Sequence, residues 1–140
     1  MRGQGNTKRE EFAVIGFAPS SAQPFSAAIP RQDRAYRLLR VVTNVTTDGT
    51  AGPREIRLYH RLRAPQLDLM VSPAPSVDAS DDVTASWFPN AEQTTQLGIR
   101  TAPIPADFVV SDLDVISVNV INANAGDAIV SCTALVRWLE

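Results

Sequence analysis

The sequence predicts an all-β fold: a single-domain β-sandwich, jelly-roll-like, of about eight strands over residues 12–140, preceded by a flexible arm over 1–11. The first observation is the segment from Asp107 to the end, DFVVSDLDVISVNVINANAGDAIVSCTALVRWLE. Its two apolar runs, Asp114–Asn122 and Ala128–Leu139, hold neither Gly nor Pro and flank a small polar connector, Ala123–Asp127. Such runs, dominated by β-branched and aromatic residues, predict a long β-hairpin at the centre of the fold. The second observation is period-two alternation. Ile116, Val118 and Val120 share one face with Asn122; Val130, Cys132, Ala134, Val136 and Trp138 share another, with Ser131, Thr133 and Arg137 opposite. Ile116, Val118, Val120, Val130, Cys132, Val136 and Trp138 are therefore expected in the core. The third is punctuation. Ten Pro and seven Gly divide the chain into short segments at the spacing of a sandwich or jelly roll.

Along the chain, residues 1–11 are polar and read as an arm that orders on a partner. Phe12–Phe17 reads as a first strand and Ala18–Pro30 as an extended connector. Arg31, Arg34, Arg37 and Arg40 recur every three residues, as on a helix face. The β-branched residues that follow favour a strand from Tyr36 through Val45, with Leu39, Val41, Thr43 and Val45 inward. Thr46–Pro53 (TTDGTAGP) is a turn segment. Beyond it Arg54–Arg63 alternates cleanly, with Ile56, Leu58, His60 and Leu62 on one face and Glu55, Arg57, Tyr59, Arg61 and Arg63 on the other. These two strands are expected to form a second hairpin. Leu67–Val71, Val83–Phe88 and Glu92–Arg100 read as further strands. Ser72–Asp82 reads as a loop, and Thr101–Ala106 (TAPIPA) as a crossing between layers.

A chain of 140 residues with 44% apolar content is long enough for one genuine core. Net charge is −2, unevenly spread: residues 1–63 carry eleven basic and five acidic side chains, residues 64–140 two and ten. Twelve of the thirteen basic residues are Arg, the better interface cation. Opposite-signed halves pair within one chain or between copies. The N-terminus lacks the apolar stretch of a secretory signal, so synthesis in the cytoplasm is expected. No segment is long and apolar enough for a membrane span, and no membrane partner is expected.

Little in the chain points to catalysis. His60 is the sole histidine and lies on the apolar face of its strand, as a hydrogen-bonded core or rim residue does. Cys132 is the sole cysteine, which excludes an internal disulfide, and reads as a small buried hydrophobe. Asp78, Asp81 and Asp82 cluster without the spacing of a calcium loop. No phosphate-binding glycine pattern is present. The expectation is a non-enzyme without cofactor or metal.

The residues that stand out are Arg57, Tyr59, Arg61 and Arg63 on one strand face, with Arg2, Lys8 and Arg9 in the arm. Arg and Tyr are enriched in protein interfaces. Cross-strand pairing with acids of the same fold is the competing explanation. Nucleic acid is not an expected partner, because the total charge is near neutral and the second half is acidic. Trp87 and Phe88, beside Pro89-Asn90, are the aromatics that a carbohydrate-binding sandwich would expose; burial of Trp87 is the expectation.

From Pro103 onward, PIPADFVV, DVISVNVIN, the NAGD turn and the final AIVSCTALVRWLE together resemble small β-sandwich virion proteins of tailed bacteriophages, of the head decoration or cement type. The resemblance covers Tyr36 to Glu140. It implies a structural protein on the capsid surface of the virion, bound to the major capsid protein, as a homo-oligomer and most often a homotrimer, that stabilises the mature shell. Similar sandwiches in tail, neck and fibre proteins are the alternative.

Overall fold

A computed structural model describes residues 11–19, 25–63, 67–74 and 76–139. The chain is all-β, a sandwich of two sheets. Twelve strands lie among the described residues: β1 (Phe12–Gly16), β2 (Ala18–Pro19), β3 (Ser26–Ala28), β4 (Tyr36–Thr46), β5 (Glu55–Leu62), β6 (Leu67–Pro73), β7 (Asp82–Pro89), β8 (Thr94–Gln96), β9 (Ile99–Ile104), β10 (Val109–Val110), β11 (Val115–Ile121) and β12 (Ala128–Trp138). One sheet runs β1-β12-β4-β7-β9-β8, with β10 on β4; the other runs β2-β3-β11-β5-β6. Of the extra strands, β2 and β3 lie within the expected connector Ala18–Pro30, β10 is a two-residue piece before the first C-terminal run, and the strand expected over Glu92–Arg100 divides into β8 and the start of β9.

Both expected hairpins are corrected. β4 and β5 lie in different sheets, and so do β11 and β12. The two connectors are arches that cross from one layer to the other. β12 pairs antiparallel with β4, and β11 with β5, so the two arches stack. A turn-rich connector between two alternating strands suits a hairpin and an arch equally; the ladder partner of each strand is non-local. The crossing 101–106 is corrected as well. Ile99–Ile104 is strand β9, parallel to β7, and Thr94–Gln96 joins it by a tight turn in which Gly98 takes a φ of 75°. Pro103 lies beyond the last residue that β8 covers, Thr101, where a missing N–H breaks no ladder bond.

The core lies between the sheets. Leu38, Val41, Val45, Val83 and Trp87 face Ile56, Leu58, Ile116 and Val118, all buried. Two β-bulges shift the alternation read from the sequence. On β12, Ile129 pairs with Val45 and Ser131 with Asn44, so Val130 is an extra residue. It is 63% exposed, not buried, while Cys132, Ala134 and Val136 remain inward. On β4, Leu39 is the extra residue opposite the step from Leu135 to Val136. The inward set is therefore Tyr36 and Leu38, then Val41, Thr43 and Val45, and Leu39 is half-buried on the other face. Trp138 is only partly buried and meets Tyr36 edge-on, ring centroids 6.0 Å apart.

At one end of the sandwich the two arches are fastened together. Arg54, the last residue of the first connector, donates from Nε to Asp127 Oδ2 (2.8 Å) and from an Nη to Asp127 Oδ1 (3.1 Å). The same guanidinium reaches Asp48 Oδ1 (2.8 Å) and the Gly52 carbonyl (2.7 Å). Asp127 also accepts from the Asp48 and Asn124 amides. Asn122, with a φ of 61°, turns the chain out of β11 into this arch.

Candidate functional site

Strand β5 carries Arg57, Tyr59 and Arg61 on the solvent face of its sheet, and Arg63 sits in the turn just beyond it. The four are not equivalent. Arg57 is half-buried and held by its neighbours, through an ion pair to Glu55 and a 3.3 Å hydrogen bond to the Tyr59 hydroxyl. The hydrogen bonds to Tyr59 and then Glu55 keep its guanidinium firmly charged. Arg61 forms a cross-strand pair with Asp68 of β6, 2.7 Å from Nε to Oδ1. Arg61 thus does what cross-strand pairing predicts, whereas Arg57 is held by neighbours on its own strand. Arg63 is exposed, and its backbone N–H donates to Asp114 Oδ1 (3.3 Å). Arg2, Lys8 and Arg9, and the arm over 1–11 apart from Glu11, lie outside the described residues.

The ion pairs absorb much of the charge asymmetry inside the fold. Arg37 pairs with Asp107, Arg54 with Asp48 and Asp127, Arg100 with Asp81, and Arg137 with Glu11. Arg34 and Arg40 instead lie over the rings of Trp138 and Phe88. Arg31 and Arg63 find no acidic partner among the described residues.

Those two meet at the end of the sandwich opposite the Arg54 clasp. Arg31, Arg61 and Arg63 rim a shallow depression of about 200 Å³ whose other walls are Leu62, Leu113 and Val115. The strand alternation reveals Arg61 and Arg63. Arg31 and Leu113 come from separate connectors, and nothing in the sequence places them beside β5. Beneath this end, His60 Nε2 lies 3.1 Å from Asp114 Oδ2, and the imidazole packs edge-on against Phe108 at 5.3 Å. Asp114 thereby holds the last turn of β5 through both His60 and the Arg63 amide. Tyr36 is buried nearby; burial, reinforced by the Asp114 charge, raises its phenol well above the ordinary range.

Three other positions are settled by burial. Trp87 is fully buried and donates from Nε1 to the Ser72 carbonyl (3.2 Å), so it offers no face to a sugar. Cys132 is buried, and desolvation pushes its thiol up to about 12. Among the described residues, no three His, Cys, Asp or Glu side chains converge as a metal site. No helix of the described chain is long and apolar enough to cross a membrane.

The depression sets guanidiniums beside apolar walls. Guanidiniums beside apolar walls suit a partner that presents carboxylates next to hydrophobic side chains, because Arg is weakly hydrated and forks onto carboxylate oxygens. In comparisons with known proteins, no protein-family model and no curated sequence matches this chain.

Proposed function

We propose that this chain is a structural module of a virus particle, a decoration protein that docks on the head of a tailed bacteriophage and stabilises the mature shell. The observation that carries the reading is the pair Arg31 and Arg63. Both are exposed and free of acidic partners among the described residues, and they flank an apolar depression at one end of the sandwich. The resemblance of the segments after Pro103 to decoration proteins supports it from the sequence side. The partner is the major capsid protein, and the protein acts as a homo-oligomer, with three copies the number the resemblance implies.

The physical role is mass action. A protein that binds the assembled lattice and not its separated subunits shifts the equilibrium toward the shell. Modest contacts, repeated on each copy of an oligomer, add through multivalency. The test is shell resistance to heat or osmotic shock with and without the protein. Added wild type is expected to raise the failure point. R31E/R63E is expected to keep its fold and lose occupancy on the shell. Shells that fail at the same point with and without the protein would overturn the reading. So would finding the protein on the tail, which favours the tail, neck or fibre alternative.

A further inference from the structure

We propose that β1 is a pairing edge for a second copy of this chain, which adds antiparallel about a two-fold axis at Val14. This contact is separate from the Arg31–Arg63 surface and goes beyond the shell-docking reading.

Backbone geometry sets the register. β1 borders its sheet and pairs with β12 on one side only. The Phe17 N–H donates to the Cys132 carbonyl (2.9 Å), and the Trp138 N–H donates to the Glu11 carbonyl (2.7 Å). In an antiparallel ladder such bonds fall on alternate residues. Glu11, Ala13, Ile15 and Phe17 therefore bond inward to β12. Phe12, Val14 and Gly16 turn their N–H and C=O groups to the free edge. Among the described residues nothing pairs with them. A two-fold axis at Val14 sets Val14 against Val14 and Phe12 against Gly16, and satisfies all three outward residues in both copies.

Side chains favour the same register. Phe12 is 56% exposed and Val14 72%, on the outer face beside Leu135. A side-chain atom added at Gly16 would meet nothing within 4 Å. In the paired form the Phe12 ring of one copy lies across that open glycine of the other, the arrangement by which aromatics rescue edge glycines.

Charge identifies the occupant. Phe12–Gly16 has no charged side chain and no proline, and the adjacent Glu11 is neutralised by Arg137. The other sheet edges are protected or short: β2 and β6 contain Pro19 and Pro73, β6 carries Asp68, β8 has three residues and β10 two. Proteins blunt free edges with such devices, and β1 lacks them. A neutral apolar strand needs a neutral apolar partner. Among the described residues, the one edge strand of more than two residues with that character is β1 of another copy.

The test uses the full chain, by sedimentation and by amide hydrogen exchange. Wild type is expected to sediment as an even multiple of the 15.2 kDa chain, six copies where the trimer of the shell-docking reading also forms in solution. Val14→Lys is expected to halve that mass and still melt cooperatively, at the lower temperature wild type shows once diluted to unpaired copies, because Val14 faces solvent in one copy. Val14→Pro removes an outward N–H that β12 does not use, and is expected to do the same. The amides of Phe12 and Gly16 should be slow to exchange in wild type and fast in both variants, joined by that of residue 14 in V14K, whereas Ala13 and Ile15 stay slow throughout. If V14K fails to fold, V14P decides. A wild type that is a single chain at every concentration, or a mass that neither variant changes, overturns the pairing. Shell binding by a protein that fails this test would leave the docking surface standing and dismiss the β1 edge alone.

Discussion

Arg54 and Asp127 form a two-pronged ion pair in which neither side chain exposes any surface. They lie 73 positions apart in the chain, at the ends of the two connectors that cross between the sheets. A buried pair is a weak source of net stability, because desolving two charges offsets their attraction. Its effect here is on specificity. Every hydrogen bond around Asp127 ties one arch to the other or closes its own turn, so the crossings are held in a single stacked arrangement. Removing one partner leaves the other buried and unpaired. Arg54→Met and Asp127→Asn are each expected to lower the melting temperature by roughly 10 °C or more. Calorimetry checks this, and a double variant close to either single one would confirm that the two residues act as a unit.

Acid should open the same clasp. Hydrogen bonds from Arg54 and from the Asn124 and Asp48 amides hold the Asp127 carboxyl below the ordinary carboxylate value of 3.8, against the upward pull of burial. Asp48 is lowered too, first by the Thr50 amide. The unfolded chain therefore takes up protons before the folded one as pH falls. Stability is full above the unfolded value and is lost as pH drops through the folded ones. Denaturation midpoints are expected to stay flat from neutral pH to about pH 5 and to fall below it. In D127N the fall should be shallower.

Gly126 tests how closely the arches approach. A methyl group added there would lie 2.7 Å from the Asp48 Cβ, an atom fixed to the backbone. Gly126→Ala must push the two connectors apart and is expected to cost about 1–3 kcal/mol in chemical denaturation, as overpacking does. An unchanged midpoint would show that the arches are free to separate.

The layer class and most strands were legible because alternation and turn chemistry are local. Arg54–Arg63 alternates with nothing to interrupt it, and β5 follows that pattern closely. The strand reading of Tyr36–Val45 prevailed over a helical arginine stripe because β-branched residues occupy its second half. Pairing was not legible. Nothing in TTDGTAGP or NANAGD says whether the next strand returns beside the last or crosses to the other sheet. That choice shows in the ladder partners, β12 for β4 and β11 for β5, and in Arg54 meeting Asp127, which neither segment contains alone. The candidate site divides the same way. Arg61 and Arg63 follow from β5, but Arg31 and Leu113 reach the depression only through the fold.

Cys132 should behave as a packing residue. Its thiol is held up to about 12 by burial, and only 6% of the residue meets solvent. Thiol reagents at neutral pH are expected to leave it unmodified in the folded protein and to react fully in denaturant. Rapid labelling of the native chain would mean that β12 opens locally.

The bulge at Val130 supplies the most direct test of the fold. Read as uninterrupted alternation, the sequence of β12 buries Val130 together with Cys132. The structure inserts Val130 as an extra residue between Ile129 and Ser131 and leaves it 63% exposed, while Val118 of β11 is fully buried. A carboxylate at each position separates the two arrangements. Val118→Asp places an unpaired charge in the core, which costs several kcal/mol, about the whole stability of a domain this size. It is expected to yield no cooperatively folded protein. Val130→Asp meets water and is expected to shift stability by no more than about 0.5 kcal/mol. Equal loss in both would restore simple alternation and remove the bulge. Folding of V118D would displace β11 from the core and, with it, the stacking of the two arches.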